Sequence, residues 1–211
     1  MEHHTQDNAT YWQVDNLPNR LTFFRLCLVP VVVILLIFSR YEAPSQRHLF
    51  GLLAAALFII ASITDYFDGH IARKKKLVTI FGSFLDPIAD KFLVVSSLIM
   101  LLALQRISDW AVIVLVLREM YMMSLRLFAI TEGVSVPVND LGKWKTVCQM
   151  TAMPMLMIYQ KWWIFDLRLI GTLLIYLACL LSILSSLVYS LKLLKKLQIV
   201  WKEKIQARKR P

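Results

Sequence analysis

Apolar residues fill six long stretches of the chain, and clusters of polar residues separate them. About 20 mainly apolar residues cross the hydrocarbon core of a bilayer as an α-helix. The pattern therefore predicts an all-α integral membrane protein with six transmembrane helices. In chain order, the apolar stretches are about 26–38 (the end of the first span), 49–64, 84–104, 110–130, 146–159 and 169–191.

The first 15 residues are polar, unlike the long apolar stretches of the chain. Tyr11 and Trp12 can dip into the membrane interface, where aromatic side chains concentrate, so we predict a short N-terminal interfacial helix. Pro18 in a first helical turn, with Asn16 as its cap, predicts that the first span begins there. The predicted divisions are an N-terminal polar segment (1–15), a membrane domain (16–191) and a basic cytosolic tail (192–211).

Four aspartates lie between residue 64, where the second apolar stretch ends, and the uninterrupted apolar run 92–104 within the third, at one face of the predicted membrane domain. Asp65 and Asp68 are three residues apart, and Asp86 and Asp90 are four apart, so each pair shares one face if its segment is helical. Four unpaired acids near a bilayer would be costly. Two facing pairs make an all-oxygen site, which Mg²⁺ and Mn²⁺ prefer. The pattern therefore predicts a metal-assisted phosphate site.

Neighbouring residues strengthen this interpretation only in combination. Gly69 and Gly82 let a ligand approach the backbone, and Arg73 offers a planar fork for phosphate. Taken alone, an aspartate pair is usually a solvated helix end, and a glycine in an apolar run is usually a helix-packing residue. The joint pattern is far more specific: D-x-x-D-G-x-x-A-R, eight residues, then G-x-x-x-D-x-x-x-D.

Positive charge is unevenly distributed: 24 Lys and Arg stand against 14 Asp and Glu, and the C-terminal tail is rich in both cations. With six spans, 16 basic residues lie on the aspartate side, 5 on the opposite side and 3 within spans. Cytoplasmic loops are enriched in Lys and Arg, which predicts a cytosolic aspartate face. A basic tail also suits nucleic acid, but one that directly follows an apolar span suits anionic headgroups, so no nucleic-acid partner is expected.

Charged residues also interrupt the fourth apolar stretch and stand directly before the fifth. Arg118 and Arg126 differ by eight residues, about 80° around a helix, so both can face one cavity. Pairing between Arg118 and Glu119 is expected to be weak, because adjacent helical residues point apart. Lys143 and Lys145 either snorkel to the interface or join the same cavity. Two arginines with one or two lysines suit a phosphate dianion.

The aspartate pattern resembles the signature of the CDP-alcohol phosphatidyltransferase family, whose fixed positions are all met here. Members are integral membrane enzymes that move a phosphatidyl group from CDP-diacylglycerol to an alcohol and release CMP. The resemblance implies a two-metal centre of Mg²⁺ or Mn²⁺ on Asp65, Asp68, Asp86 and Asp90, with Asp90 also the general base. It implies a CDP-diacylglycerol site formed by Asn19, Thr22, Asp65, Gly69, Ala72, Arg73 and Thr79.

Beyond the signature, the chain resembles one group within that family, the phosphatidylglycerophosphate synthases, from Asn16 to about Met150. The resemblance rests on Asn-Leu-Pro-Asn-x-Leu-Thr-x-x-Arg, Phe-Gly-Ser-Phe-Leu-Asp-Pro-Ile-Ala-Asp-Lys and the basic residues of spans four and five. Arg118, Arg126 and Lys143 match positions that hold the phosphate of glycerol 3-phosphate in that group, with Lys145 a weaker candidate. The products implied are phosphatidylglycerophosphate and CMP. The resemblance also implies a homodimer.

The expected location is a bacterial cytoplasmic (inner) membrane, with the active site facing the cytosol. Two alternatives stay open at this point. Within the family, a cardiolipin synthase, a phosphatidylinositol-phosphate synthase or a phosphatidylserine synthase would use the same donor with another acceptor. In a different class, aspartates near spans can line the ion path of a small cation transporter. Arg25, three residues beyond Thr22, is either part of the nucleotide site or a cation that snorkels to the headgroups.

Overall fold

The computed structural model describes residues 17–41, 43–75, 80–137, 139–161 and 166–208. Within those ranges, the side chains of residues 17–22, 44–45, 65–75, 80–87, 203–204 and 206–208 are outside the description. The described part contains six α-helices and no strand beyond one isolated bridge between Lys161 and Asp166. The helices are α1 Leu17–Tyr41, α2 Pro44–Lys75, α3 Ile80–Ala103, α4 Asp109–Thr131, α5 Asp140–Ile158 and α6 Leu167–Arg208.

The all-helical prediction is confirmed for the described residues, and each predicted apolar stretch lies in or almost entirely within one helix. Among the described residues, three segments are long and apolar enough to cross a membrane: Phe23–Tyr41, Gln46–Thr64 and Leu167–Lys202. The count of six spans stays a prediction, and the expected interfacial helix in residues 1–15 falls outside the described residues.

Helix boundaries differ from the predicted ones in three places. Pro44, expected within a polar loop, begins α2, because proline needs no hydrogen-bond partner in a first helical turn. Helix α5 begins at Asp140, a turn and a half before the predicted apolar stretch. Helix α6 continues without a break to Arg208, across the predicted tail boundary at residue 192.

The chain forms two compact units. Unit 1 comprises residues 1–107 and 153–169, and unit 2 comprises residues 108–152 and 170–211. In unit 1, α1 packs against both α2 and α3. Its core consists of apolar side chains that are almost completely buried, among them Val32, Leu36, Phe58, Leu93, Leu98 and Leu156.

Arg106, in the connection after α3, is a buried cation in unit 1. Its guanidinium donates hydrogen bonds to the carbonyl oxygens of Leu156, at 3.3 Å, and Met157, and to Oγ of Ser39, at 3.1 Å. It also lies over the ring of Tyr159, 5.1 Å from the centroid. Burial lowers the pKa of Arg106 from its ordinary value. The side chain therefore ties the end of α1 to the end of α5 at one end of unit 1.

Unit 2 contains α4, most of α5 and nearly all of α6. The chain turns out of α4 at Gly133, whose φ is +72°. The amide of Gly133 donates to Ile130 O at 3.0 Å, and that of Val134 to Ala129 O at 2.8 Å, the hydrogen-bond pair of a Schellman ending. The core cluster of this unit consists of Met122, Ala129, Val134, Tyr189, Leu193 and Leu197, so α6 contributes to the core beyond residue 191.

Large apolar side chains also face outward on the described helices. Phe23 and Ile34 of α1, Leu117 and Ile130 of α4, and Leu180 of α6 are between 49% and 73% exposed. Together with the spanning-length helices among the described residues, these exposed apolar side chains are typical of a protein solvated by lipid.

Candidate active site

Two helices of unit 1 carry the predicted metal ligands. Asp65 and Asp68 belong to α2, and Asp86 and Asp90 belong to α3. Both pairs therefore have the helical backbone that the spacing argument assumed. The side chains of Asp65, Asp68 and Asp86 lie outside the described residues. Hard divalent cations such as Mg²⁺ and Mn²⁺ bind carboxylate oxygens. The chemistry of these four side chains therefore suits either cation.

Asp90 is the member of this set whose side chain is described. It is 28% exposed, and its Oδ2 lies 3.4 Å from Nζ of Lys91. The ammonium of Lys91 is thus a local counter-charge to this carboxylate. A partly exposed carboxylate remains accessible to a substrate, as a general base must be.

The residues assigned to CDP-diacylglycerol lie on α1 and α2 as far as they are described. Asn19 and Thr22 belong to α1, and Gly69, Ala72 and Arg73 to α2, with their side chains outside the description. Thr79 lies outside the described residues altogether. Arg25, three residues beyond Thr22 on α1, is only 1% exposed. The snorkelling interpretation of Arg25 is therefore wrong, because its head is inside the protein.

In unit 2 two of the predicted acceptor cations meet at one acid. Nη1 of Arg118 lies 3.0 Å from Oε1 of Glu119, and Nζ of Lys145 donates to the same oxygen. The side chains of Arg118, Glu119 and Lys145 are 11%, 6% and 4% exposed. Nη2 of Arg118 also donates to Oγ of Ser185, at 3.3 Å. Hence Lys145 is a buried ion-pair partner and not a snorkelling residue.

The geometric reason given for a weak Arg118–Glu119 pairing does not hold, because the two side chains are in contact. The rule that adjacent helical residues point apart applies to short side chains. Arginine is long enough to fold back onto its neighbour, and burial makes an unshared carboxylate costly. The result is a charge-assisted contact at 3.0 Å within a shared network.

The other two predicted cations lie in different surroundings. Arg126 lines a cavity of about 380 Å³ with residues of the α4 end, the following loop and α6: Ala129, Ile130, Gly133, Val134, Ser135, Val136 and Tyr189. Lys143 is exposed, and its Nζ lies 2.8 Å from Oδ1 of Asp140. That hydrogen bond, with the charge of Lys143, lowers the pKa of Asp140.

Sequence reasoning missed Glu119 and Ser185 as parts of this site. Glu119 was noticed only as a neighbour of Arg118, although Lys145, 26 residues away, shares its carboxylate oxygen. An available signal was the acid itself, since a carboxylate in an apolar stretch needs a cationic partner. For Ser185, the signal was the run of serines in the last apolar stretch, at positions 182, 185, 186 and 190.

Comparison with known proteins identifies the class. A family model described as CDP-alcohol phosphatidyltransferase matches residues 15–184. The chain belongs to the CDP-alcohol phosphatidyltransferase family. It is therefore an enzyme of the phosphatidyltransferase class, and the transporter interpretation is set aside.

Several relatives share the name CDP-diacylglycerol--glycerol-3-phosphate 3-phosphatidyltransferase. The protein of that name from Rickettsia bellii is 41% identical over 83% of this chain and 93% of its own length. The one from Bacillus subtilis is 43% identical over 68% of this chain and 77% of its own. A rice protein named cardiolipin synthase (CMP-forming) is 36% identical over 67% of this chain and 45% of its own length.

Proposed function

We propose that the chain transfers the phosphatidyl group of CDP-diacylglycerol to sn-glycerol 3-phosphate, forming phosphatidylglycerophosphate and CMP. The observation that carries this proposal is the Rickettsia bellii relative, which bears the name of that activity and matches over nearly its whole length. Buried cations in unit 2 support a phosphate-bearing acceptor, since an acceptor without phosphate would not need Arg118 and Lys145 there. The reaction serves anionic phospholipid synthesis.

We place a two-metal site on Asp65, Asp68, Asp86 and Asp90. Mg²⁺ or Mn²⁺ held there would offset the charge of the diphosphate and stabilise the departing CMP. Asn19, Thr22, Gly69, Ala72, Arg73 and Thr79 would line the cytidine diphosphate, together with Asp65. These assignments rest on the matching positions of the family signature and on the helical backbone around the aspartates.

In the proposed reaction, Asp90 accepts the proton of the glycerol 3-phosphate 1-hydroxyl as that oxygen attacks the lipid-bearing phosphorus. The bond from that phosphorus to the CMP oxygen breaks, and CMP leaves with the electron pair. Arg118, Arg126 and Lys143, with Lys145, bind the acceptor phosphate and hold its hydroxyl for attack. We infer direct transfer, without a covalent enzyme intermediate.

A second candidate is a cardiolipin synthase, which would use phosphatidylglycerol as acceptor. The rice relative of that name favours it, although the match covers less than half of that protein. The decisive assay is CMP release from CDP-diacylglycerol by purified protein with glycerol 3-phosphate, phosphatidylglycerol, inositol phosphate or serine. We expect release with Mg²⁺ or Mn²⁺ and glycerol 3-phosphate, and loss of it with EDTA. If the protein prefers phosphatidylglycerol, it is a cardiolipin synthase and the first proposal is wrong.

We further propose six spans in a bacterial cytoplasmic membrane, with the aspartate face and both termini in the cytosol, and a homodimer. The spanning-length helices and the bacterial relatives support a bacterial membrane protein. Labelling of single introduced cysteines in intact cells tests the topology: a cysteine at Lys161 should react from outside and one at Lys143 should not. Light scattering of the detergent-solubilised protein tests the dimer, and a mass of one chain would contradict it.

A further inference from the structure

Glu119 links α4 to α5 of unit 2 through a single carboxylate oxygen, and Arg118 extends this network to α6. That oxygen accepts hydrogen bonds from Arg118, its neighbour on α4, and from Lys145 on α5. Arg118 in turn reaches Ser185 on α6. All three charged side chains are about nine-tenths buried or more. A buried carboxylate is costly, so its presence here calls for a role beyond the packing that an apolar residue would provide.

The contacts of Arg118 define that role. Its Nη1 is held by Glu119 and its Nη2 by Ser185, so two of its three nitrogens have partners that fix the plane of the guanidinium. The third, Nε, is buried and has no hydrogen-bond partner in the described part of the chain. A guanidinium binds phosphate through a rigid, planar fork, so the orientation of its plane decides which donors are presented.

We propose that Glu119 is a positioning residue for the acceptor phosphate: it fixes Arg118 and Lys145 in the orientation that binds a phosphate monoester. This inference rests on the proposed function. Glu119 does not touch the substrate in this account and acts through the two cations. Its contribution belongs to acceptor binding and leaves the CDP-diacylglycerol site, on the helices of unit 1, unaffected.

Two roles are conceivable for the Glu119 charge, and they predict opposite changes in the KM for glycerol 3-phosphate when the charge is removed. If the acid merely lowers the positive potential near the site, Glu119→Gln increases the attraction for phosphate and lowers the KM for glycerol 3-phosphate. If the acid orients the cations, the same variant releases Arg118 and Lys145 from their productive geometry and raises that KM. We expect the second result, with an increase of about tenfold or more.

The experiment measures CMP release by the purified full chain, varying each substrate in turn. Glu119→Gln keeps the size of the side chain and removes its charge. Glu119→Asp keeps the charge on a shorter side chain. Its KM for glycerol 3-phosphate should be about threefold above that of the wild type, and so below that of Glu119→Gln. Asp109→Asn is the matched control, because it removes an exposed carboxylate from the first turn of the same helix; its kinetics should equal the wild type.

The expected pattern is a raised KM for glycerol 3-phosphate in Glu119→Gln, a smaller rise in Glu119→Asp and an unchanged KM for CDP-diacylglycerol. A lowered or unchanged acceptor KM, or an equal rise for both substrates, overturns the proposal. If Glu119→Gln does not fold, Glu119→Asp decides by the same criteria. If the wild-type protein prefers another acceptor, the proposed function is refuted instead. The wild-type assay therefore tests the proposed function, and the ratio of variant KM to wild-type KM tests the role of Glu119.

Discussion

Nη2 of Arg106 donates a hydrogen bond to Oγ of Ser39 at 3.1 Å, although the two residues are 67 positions apart in the chain. The hydroxyl of Ser39 in turn donates a hydrogen bond to the carbonyl oxygen of Arg47 at 3.2 Å. The same guanidinium holds the carbonyl groups of Leu156 and Met157. One buried cation therefore satisfies backbone and side-chain acceptors from two distant parts of unit 1.

Arg106→Met should destabilise the protein strongly. Methionine fills much of the space but leaves these buried acceptors without a donor, at about 1–3 kcal/mol for each unsatisfied group. We expect the midpoint of thermal unfolding in detergent to fall by several degrees or more. Arg168→Gln is the control: its ion pair with Asp166 is 41% exposed on the arginine side, and such pairs contribute about 0–1 kcal/mol. Equal midpoints for the two variants would contradict this account of Arg106.

Gly51 and Gly133 are predicted to resist substitution for different reasons. A Cβ built on Gly51 would lie 2.5 Å from the carbonyl oxygen of Met157, which is backbone and cannot move aside easily. Gly51→Ala should therefore cost about 1–3 kcal/mol through overpacking. Gly133 has open space around it but a φ of +72°, so the cost of Gly133→Ala is backbone strain of about 1 kcal/mol.

Asparagine separates the two causes. It tolerates the left-handed conformation better than alanine does, so Gly133→Asn should recover most of the stability lost in Gly133→Ala. At Gly51 the larger asparagine should be worse than alanine. Thermal unfolding midpoints of the four variants provide the comparison, and a Gly51→Asn protein as stable as wild type would show that the close approach is not a constraint.

Two buried serines, one turn apart on α6, should respond differently to alanine. Ser185 is 3% exposed and accepts the hydrogen bond of Arg118. Ser182 is fully buried, and its Oγ has no hydrogen-bond partner among the described residues. We expect Ser185→Ala to cost about 1 kcal/mol, whereas Ser182→Ala, which removes an unsatisfied group, should be neutral or stabilising. A loss in Ser182→Ala equal to that in Ser185→Ala would mean that Ser182 has a partner.

Helix positions could be predicted well because they depend on local apolar runs, and the runs at 110–130 and 49–64 coincide with α4 and the first part of α2. The sixth apolar stretch was predicted to end at residue 191, and the basic residues beyond it were assigned to a cytosolic tail. Yet Tyr189, Leu193 and Leu197 recur at four-residue spacing and are all buried. That periodicity is a helix-face signal, and the charges of the intervening residues concealed it.

For the candidate site, residue types could be proposed from the sequence, but contacts could not. The aspartate pairs could be proposed as metal ligands because they stand at helical spacing on two neighbouring segments, and their role stays a prediction. The contact between Glu119 and Lys145 could not be predicted, because it depends on which of two nearby lysines points inward. Lys143 was ranked above Lys145, and the structure buries Lys145 and leaves Lys143 exposed. Which face of α5 packs inward is decided by tertiary contacts that spacing alone does not contain.

Adjacent residues Asp90 and Lys91 on α3 provide the sharpest test of the proposed chemistry. Their charges lie 3.4 Å apart, but we assign proton transfer to the carboxylate alone. Asp90→Asn keeps the shape and removes the basic oxygen, so CMP release should fall by about a hundredfold or more while the unfolding midpoint stays close to that of the wild type. Lys91→Gln removes only the counter-charge and should retain most of the activity. Full turnover in Asp90→Asn would refute the general-base assignment, and an equal loss in both variants would indicate that the ion pair, and not the base, is what the reaction requires.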